Sequence, residues 1–385
     1  MSPRSLSDAP EARRTAWPLP AERLLLAAGT AAPERGLEAF RAWRRLRAGE
    51  IPAAERRLLP LAWSNLRHRA GEESGLAVAR DAFHATWAEA IRRETASAGV
   101  LQALGNLGAP PVLLKGAALV ASSAVPAGAR PMSDIDVLVE PRTFDAARDF
   151  LLGSGFESIL ATLPSARVLL HSEGFRRADG FAFDLHAAAF ASHRGPGADE
   201  PLFRRARAGV FAGAAVRIPA PEDHLLLLCW HGLHWSDEPA VHWAADAASL
   251  LRQAGKGFDW DIFAEETLRR RLAVPAARAL RFLSAELGTS VPPRVLLALD
   301  AAPGTLLGRL ECAVVGRPPS LAGGLLVHWL SHRRAQGPEA GAWAAAARFP
   351  VYLARMWGVG APWRVPAEAV SRVRRRLRGG REARV

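Results

Sequence analysis

The chain has 385 residues, of which 49% are hydrophobic and 23% charged, and this composition indicates a globular protein and excludes a disordered one. Its length allows about two or three domains, each with a core of its own. The formal net charge is +12, yet 48 of the 50 basic residues are arginine, a bias that GC-rich codons also produce, so the charge alone does not indicate a nucleic-acid partner.

The sequence also argues against disulfide-rich, cysteine–zinc, secreted and membrane-spanning proteins. The chain has only two cysteines, Cys229 and Cys312, too few for a disulfide framework or a cysteine-based zinc site. The N-terminal segment lacks the apolar stretch of a secretory signal, and no uninterrupted apolar run is long enough to cross a bilayer. We therefore expect a soluble, cytoplasmic protein without a transmembrane segment.

The N-terminal part is predicted to be helical after a flexible arm. Residues 1–19 are rich in proline, arginine and serine, which indicates the arm. Within residues 20–107, apolar residues recur at spacings of three and four, as in Leu76, Ala79 and Phe83, and this is the period of an amphipathic helix. The Gly-Ala-Pro-Pro sequence that follows ends this helical region.

A segment with both strand and helix patterns, residues 108–218, follows as a candidate catalytic core. The apolar run Val112–Leu114 predicts a strand that leads through the turn Lys115-Gly116 into a helix. A second helix is predicted over 144–152, with Thr143 as its N-cap. Strands are predicted over 135–140 and 156–160, and hairpins over 173–186 and 210–218. The pattern predicts a mixed, α+β fold class.

The C-terminal part, residues 219–365, is again predicted to be helical. Its strongest helical patterns lie over 222–233, 241–253, 260–270 and 275–287. Residues 366–385 form a basic tail, because the sequence from 371 to 385 contains seven arginines and one glutamate, a net charge of +6. We expect this tail to lack fixed structure and to be available to an acidic partner.

The clearest chemical signal is a group of three aspartates on predicted strands. Asp134 and Asp136 lie two residues apart on one strand, so their carboxylates point to the same face. Adjacent like charges are unfavourable unless a cation neutralises them. Asp184, on the alternating strand 181–186, supplies a third carboxylate. Oxygen ligands favour Mg²⁺ or Mn²⁺ over zinc, and a site of this kind handles phosphoryl oxygens.

The turn at Lys115 and Gly116 is the second chemical signal. Glycine at a strand-to-helix turn lets backbone N–H groups approach phosphates, and Lys115 adds a positive charge there. Lys115 is one of only two lysines in the chain, which makes its place at this turn suggestive. Arg130 and Ser133, directly before the aspartate pair, are further candidates for nucleotide phosphate binding.

Three motifs together carry a resemblance to a known family. They are Leu-Leu-Lys115-Gly116-Ala-Ala-Leu, Arg130-Pro-Met-Ser-Asp134-Ile-Asp136-Val-Leu-Val and Phe183-Asp184-Leu185-His186. Over roughly residues 75–255 the chain resembles the uncharacterised nucleotidyltransferase family of the polymerase-beta-like superfamily. The usual superfamily turn is Gly-Ser or Gly-Gly, whereas here it is Lys-Gly-Ala. The stretch from the glycine to the first aspartate is also longer, and the family shares both traits.

The resemblance implies a polymerase-beta-like sheet flanked by N-terminal and C-terminal helical regions. It also implies that Asp134, Asp136 and Asp184 are catalytic residues that hold Mg²⁺, with Mn²⁺ as an alternative, and orient an NTP substrate. A hydroxyl or phosphate of an acceptor would attack the α-phosphate, and pyrophosphate would leave. The acceptor is unknown: a small molecule, a peptide, a protein side chain and an RNA end all fit.

Three further residues are candidates for the acceptor side of the site. His186 is a structural histidine or an acid/base group near the acceptor. His231 belongs to a Trp/His cluster at residues 230–243, for which helix packing and an aromatic wall against a base are both open, while a zinc site lacks a clear third ligand. The resemblance favours a site-facing Asp246, with helix capping or an arginine partner as the alternatives.

Two other functions remain open. One is a nucleic-acid or membrane-surface binding protein on a nucleotidyltransferase scaffold, whose binding would be sensitive to salt and indifferent to NTP. The other is a toxin-like enzyme that modifies tRNA. The segment Trp343–Trp363 could lie on a membrane surface, since Arg348 and Arg355 share a helical face, although Pro350 and Pro362 favour ordinary packed helices. The intact aspartates favour the enzyme.

Overall fold

A seven-stranded mixed sheet occupies the middle of the chain. The computed structural model describes residues 17–47, 49–159, 171–191, 197–233, 241–302, 306–315, 321–335 and 341–382, so most of the predicted N-terminal arm lies outside the described residues. The strands are β1 (Val112–Leu113), β2 (Ile135–Leu138), β3 (Phe156–Ser158), β4 (Ser172–Arg177), β5 (Ala182–His186), β6 (Arg207–Phe211) and β7 (Ala214–Ile218). Together with the helices they confirm the expected α+β class.

The strand order is β3-β4-β5-β2-β1-β7-β6. The central strands β2 and β5 are parallel, whereas β1 is antiparallel to β2 and parallel to β7. The pairs β3–β4, β4–β5 and β6–β7 are antiparallel. The last two are the predicted hairpins, whereas the pairing of β3 with β4 was not predicted. The two central strands carry the aspartates of the predicted site, so their parallel pairing decides how those side chains meet.

Helices precede, interrupt and follow the strands of this sheet along the chain. The N-terminal helices are α1 (Pro20–Thr30), α2 (Pro33–Leu46), α3 (Ala53–Arg56), α4 (Leu59–Leu66) and α5 (Ala77–Asn106). Within the sheet region lie α6 (Lys115–Ala121), α7 (Phe144–Gly153) and α8 (Glu200–Arg205). The helices that follow are α9 (Pro221–Gly232), α10 (Trp243–Ala254), α11 (Trp260–Arg269), α12 (Ala273–Leu287), α13 (Pro293–Ala301), α14 (Leu306–Val315), α15 (Leu321–Ala335), α16 (Ala342–Met356) and α17 (Val365–Glu382).

Two predicted details differ from the structure around the first helices of the core. Leu114 is not part of a strand, because it is the extended residue that precedes α6. Thr143 precedes α7 as predicted, but its side chain does not cap the helix. Its hydroxyl instead donates a hydrogen bond to the backbone carbonyl of Glu140, over 2.9 Å.

The alternation of β2 divides its side chains between two hydrophobic cores. Ile135 and Val137 are fully buried in the core that also contains Leu151 of α7 and residues near the end of α5. Leu138 belongs to the other core, which the N-terminal helices and α9 build. Asp136 shares the face of Leu138 because side chains two apart point the same way. Asp136 therefore faces the core that the N-terminal helices and α9 build.

Helix α9 is buried on all sides. Leu225, Leu226, Leu227 and Leu228 are all at most 2% exposed. A helix that is apolar all round is one that other elements cover completely. The first turn of α9 carries His224, whose place in the candidate site is described below.

The basic tail is helical in its described part, so the expectation of an unstructured tail is wrong there. Helix α17 extends from Val365 to Glu382. Val365 is buried in a small core with Trp357, and the guanidinium of Arg372 lies 4.8 Å from the centre of the Trp357 ring. Arg372 also pairs with Glu368 one turn earlier, at 3.0 Å. These contacts supply the stability that composition alone did not indicate.

The described helices include no candidate for a membrane span. None of them combines the length and apolar character that a bilayer span requires.

Candidate functional site

Asp136 and Asp184 are directly paired on neighbouring strands. Asp136 of β2 stands opposite Asp184 of β5 in the parallel register, and Leu138 stands opposite His186. Residues opposite one another in a sheet present their side chains on one face. Asp136 is buried at 6% exposure and Asp184 is partly exposed. The structure thus brings together two of the three aspartates that the sequence singled out.

Lys115 lies at the turn from β1 into α6 and reaches the same two strands. Its ammonium group forms an ion pair with Oδ1 of Asp136. The backbone N–H of Leu114 donates to the carbonyl of Asp136 over 3.0 Å, which holds the turn against β2. The φ angle of Lys115 is +46°, in the left-handed region that residues other than glycine seldom adopt. Strained backbone of this kind is typical of functional sites.

His186 bridges the two paired aspartates. Its Nε2 atom lies 3.2 Å from Oδ1 of Asp136 and 3.0 Å from Oδ2 of Asp184. The side chain is buried, and its other ring nitrogen, Nδ1, has no hydrogen-bond partner among the described residues. His186 therefore belongs to the aspartate group, because its Nε2 atom contacts both carboxylates.

The two cations control the charge of the aspartate group. Burial opposes ionisation of Asp136, but Lys115 and His186 outweigh it and lower the pKa of this carboxyl well below its usual range. Burial likewise opposes protonation of His186, yet the carboxylates of Asp184 and Asp136 raise its pKa to about 9. The pKa of Lys115 is also raised, because Asp136 and Asp184 outweigh the effect of burial. The group thus contains ionised carboxylates stabilised by an imidazolium and an ammonium.

Asp134 lies at the outer end of the same face. Its carboxylate accepts a hydrogen bond from the hydroxyl of Ser133, over 3.0 Å. Burial and the nearby charge of Asp136 raise the pKa of Asp134. A bound cation would stabilise the ionised form of such a carboxyl. The predicted third aspartate thus adjoins the paired two.

Arg130 and Asp246 pair with each other. The Nε atom of Arg130 lies 2.9 and 3.0 Å from the two carboxylate oxygens of Asp246, which is buried on α10. The guanidinium carbon of Arg130 is also only 3.6 Å from where a Cβ atom on Gly116 would stand. Asp246 is thus the anchor of Arg130, and Arg130 lies against the predicted phosphate turn.

Two supporting residues were not predicted as part of the site. The Nε2 atom of His224, on α9, donates to the backbone carbonyl of Lys115 over 3.1 Å, and burial lowers the pKa of His224 to about 4. Arg93, on α5, donates through Nη1 to the carbonyl of Ser133 over 2.7 Å. Nothing in the local sequence marks Arg93 among 48 arginines, whereas His224 lies near the start of the helix predicted over 222–233.

The Trp/His cluster at residues 230–243 includes residues 234–240, which are not among the described residues. Its described residues lie in two different environments. Trp243 packs against Trp17 and Phe282, with ring centres 6.2 and 5.6 Å apart, as helix packing predicts. Trp230 instead contacts His171 at 6.1 Å. His171 in turn lies 5.3 Å from His186, so this part of the cluster reaches the aspartate group through one intervening ring.

His231 lies in the last turn of α9, and the group of potential metal ligands at the site does not include it. That group consists of Asp136, Asp184 and His186, whose ligand atoms lie within 4.8 Å of one another. In the residues that the structure describes, no other cluster of this kind occurs. A zinc site around His231 therefore gains no support within the described chain.

Two cavities flank the aspartate group. A cavity of about 350 Å³ lies over the outer strands; Asp134 and Asp184 line it together with Arg176 and apolar residues of β4 and β5. A second cavity, of about 250 Å³, lies between α5 and the segment before β2 and is lined by Arg93, Arg130 and Glu89. Two carboxylates of the aspartate group thus face the first cavity, and two arginines with one glutamate face the second.

The donor set fits a divalent cation. Two carboxylate oxygens and one imidazole nitrogen converge within 4.8 Å, and the carboxyl of Asp134 adjoins them. Carboxylates suit Mg²⁺ and Mn²⁺, and an imidazole ligand would favour the second of these. Neutral imidazole is the ligating form, so binding through His186 would release its proton.

The comparison with known proteins agrees with this geometry. A family described as uncharacterised nucleotidyltransferase matches residues 52–288, which include every residue of the aspartate group and of the Lys115 turn. No curated protein and no solved structure matches the chain significantly. The family match covers more than half of the chain and supports nucleotidyl transfer as the general reaction. The chain belongs to the uncharacterised nucleotidyltransferase family.

Proposed function

We propose that the protein transfers an NMP from an NTP to a hydroxyl or phosphate of an acceptor, in a reaction that depends on a divalent cation. The observation that carries the proposal is the side-by-side pairing of Asp136 and Asp184 on parallel strands, with Lys115 bound to Asp136. A paired carboxylate centre beside a cationic turn provides what phosphoryl transfer needs: a cation site and a place for phosphates.

Asp134, Asp136 and Asp184 are the proposed ligands of Mg²⁺, with Mn²⁺ as the alternative. When bound, the cation neutralises charge on the phosphates and on the leaving pyrophosphate. The pKa of Asp134 is raised mainly by burial, and this disfavoured negative charge supports a role as a ligand. His186 is already hydrogen-bonded to Asp136 and Asp184, so it orients the two carboxylates toward one point.

The proposed phosphate-binding residues lie on the Lys115 side of the aspartates. Lys115 supplies an ammonium group, and Gly116 lets the backbone of the turn pack closely against Met132, whose Sδ would be only 3.0 Å from a Cβ at this position. Nε of Arg130 is held by Asp246, which fixes the guanidinium next to this turn. The cavity of about 250 Å³ adjoins these groups; Glu89 in its lining pairs with Arg93, so Arg130 is the proposed donor to anionic oxygens there. Ser133 adds a hydroxyl at the edge.

The proposed acceptor side is the cavity of about 350 Å³ on the far side of Asp184. Asp184 is the partly exposed member of the aspartate pair and lines this cavity, so it is positioned to take the proton of an acceptor hydroxyl. The pKa of His186 is raised by the carboxylates against the effect of burial, so before a cation binds its imidazolium would favour the ionised form of Asp184. Small molecules, peptides, protein side chains and RNA ends remain candidates for the acceptor.

The test is to incubate the protein with each α-labelled NTP, a divalent cation and a cell extract, and to separate the products. We expect label in one acceptor fraction, pyrophosphate in equal amount, and no label with the Asp136→Asn variant. Asp261→Asn, an exposed aspartate on α11, is the matched control and should keep full transfer. Hydrolysis to free NMP without any labelled acceptor, or full transfer by Asp136→Asn, would refute the proposal.

A further inference from the structure

Two tryptophans near the C-terminal helices lie almost fully in solvent. Trp343, at the start of α16, is 89% exposed, and Trp363, between α16 and α17, is 80% exposed. They are the most exposed large hydrophobic residues of the described chain. Neighbouring Tyr352 and Trp357 are buried in the small core of these helices. The predicted helix packing therefore accounts for the buried pair and leaves the exposed pair without a role.

Four exposed residues of α16 form a line along one side of the helix. Trp343, Ala347, Val351 and Arg355 are each four residues apart, and all four are exposed. Residues at this spacing are neighbours on a helix surface. Arg348 is exposed beside this line. One side of α16 thus presents apolar groups, followed and flanked by arginines, to the solvent.

The same part of the chain concentrates positive charge. Residues 341–382 contain nine arginines, two glutamates and no lysine or aspartate, a net charge of +7 out of the +12 of the whole chain. Arg364, next to Trp363, and Arg374 on α17 are exposed. This region lies outside residues 52–288, so the family match does not account for its apolar and cationic surface.

We propose that the exposed Trp343, Arg348 and Val351 of α16, with Trp363 and Arg364 of the segment that contacts this helix, bind the anionic face of a phospholipid bilayer. Indole rings favour the boundary between headgroups and acyl chains, where one part of the ring is apolar and the N–H remains hydrated. Arginines beside them attract anionic headgroups. An apolar line along α16 favours a lipid surface over nucleic acid, which would use the charges and rings but not Val351.

The geometry indicates a helix that lies on the bilayer rather than one that crosses it. Helix α16 has 15 residues, and no described helix is suited to span a membrane. Its opposite side is buried through Tyr352 and Leu353, so only the exposed side can enter the headgroup region. Such binding depends on both apolar contact and charge, and each should be separable by mutation.

The experiment is co-sedimentation of the full-length protein with vesicles of phosphatidylcholine alone or mixed with phosphatidylglycerol, at low and high salt. We expect binding to the mixed vesicles only, weakened by salt. The double variant Trp343→Ser with Trp363→Ser should bind roughly tenfold more weakly. Arg348→Gln with Arg364→Gln should weaken binding about thirtyfold. Trp87→Ser, which alters a 51% exposed tryptophan on α5, is the matched control and should bind like the wild type.

Three results would overturn the proposal. They are equal binding to both kinds of vesicle, no binding to the mixed vesicles at low salt, and mixed-vesicle binding that the double tryptophan variant does not weaken. In a parallel mobility-shift assay with an RNA oligonucleotide, RNA binding in the absence of vesicle binding would assign the surface to nucleic acid instead. Thermal melts of each variant check that these exposed substitutions leave the fold intact.

Discussion

The Nε2 atom of His224, buried at the start of α9, donates a hydrogen bond to the backbone carbonyl of Lys115, 109 residues earlier in the chain. That carbonyl belongs to a residue with φ of +46°, whose ammonium is bound to Asp136. His224 therefore supports the strained turn from outside the sheet. Through Lys115 it holds the proposed phosphate side of the site in place.

Loss of this support should weaken NTP binding. His224→Leu removes the donor and leaves the Lys115 carbonyl buried without its partner, so we expect an NTP dissociation constant about fivefold larger. His224→Gln keeps an N–H donor of similar reach and should restore most of the affinity. Calorimetric titration with NTP and Mg²⁺ measures both. If the leucine and glutamine variants bind NTP alike, His224 does not position Lys115.

Stability should fall as the solution becomes acidic. Burial lowers the pKa of His224 to about 4, and an exposed histidine in the unfolded chain titrates near 6.5. Between these pH values the unfolded chain binds a proton that the folded chain does not, so the free energy of unfolding decreases from pH 7 to pH 4, by about 3 kcal/mol from this residue. Burial of His242 acts in the same direction.

Urea denaturation at several pH values measures this dependence. The His224→Gln variant lacks the titrating group and should show a smaller loss of stability over the same interval. An unchanged pH dependence in that variant would mean that His224 does not remain neutral in the folded protein.

The Arg130–Asp246 pair should be coupled in stability. Asp246 is fully enclosed, so Arg130→Met would leave a buried carboxyl without its cation, at a cost of about 3–5 kcal/mol. The double variant Arg130→Met with Asp246→Leu removes both charges and should recover much of that loss. Denaturant unfolding compares the single and double variants. Additive losses would show that the two residues act independently.

The same double variant separates stability from substrate binding. Its fold should be restored, but the guanidinium beside Gly116 is absent, so we expect NTP affinity to stay about tenfold below that of the wild type. Wild-type affinity in the double variant would remove Arg130 from the proposed phosphate-binding residues.

Backbone strain at Lys115 can be measured with a matched pair of variants. Lys115→Ala and Lys115→Gly both remove the ammonium group, but only glycine adopts the left-handed conformation without strain. We expect the glycine variant to be more stable than the alanine variant by about 1 kcal/mol in denaturant unfolding, while both bind NTP equally weakly. Alanine matching or exceeding glycine in stability would show that the turn is relaxed.

Local sequence patterns predicted the residues that the sheet brings together. The period of two placed Asp134 and Asp136 on one face of their strand and Asp184 on another alternating strand, and the apolar run before Lys115 located the turn. What the pattern could not supply was the register that sets Asp136 opposite Asp184, because register depends on pairing between segments about fifty residues apart.

Contacts between residues far apart in the chain could not be predicted from local patterns for a similar reason. Arg130 and Asp246 are separated by 116 residues, and Arg93 and Ser133 by 40, so their contacts depend on how the helices pack. The helix α17 was missed because its composition indicated disorder. Its stability comes from Val365 and Arg372 packing near Trp357, which a count of charges does not reveal.

The central claim is that Asp136 and Asp184 form the cation and nucleotide site. Calorimetric titration of NTP with and without Mg²⁺ or Mn²⁺ tests it most directly, using the wild type, Asp136→Asn with Asp184→Asn, and Asp261→Asn as control. We predict NTP binding by the wild type and the control only when the divalent cation is present, and none by the double variant. Cation-dependent NTP binding of unchanged affinity in the double variant would contradict the account.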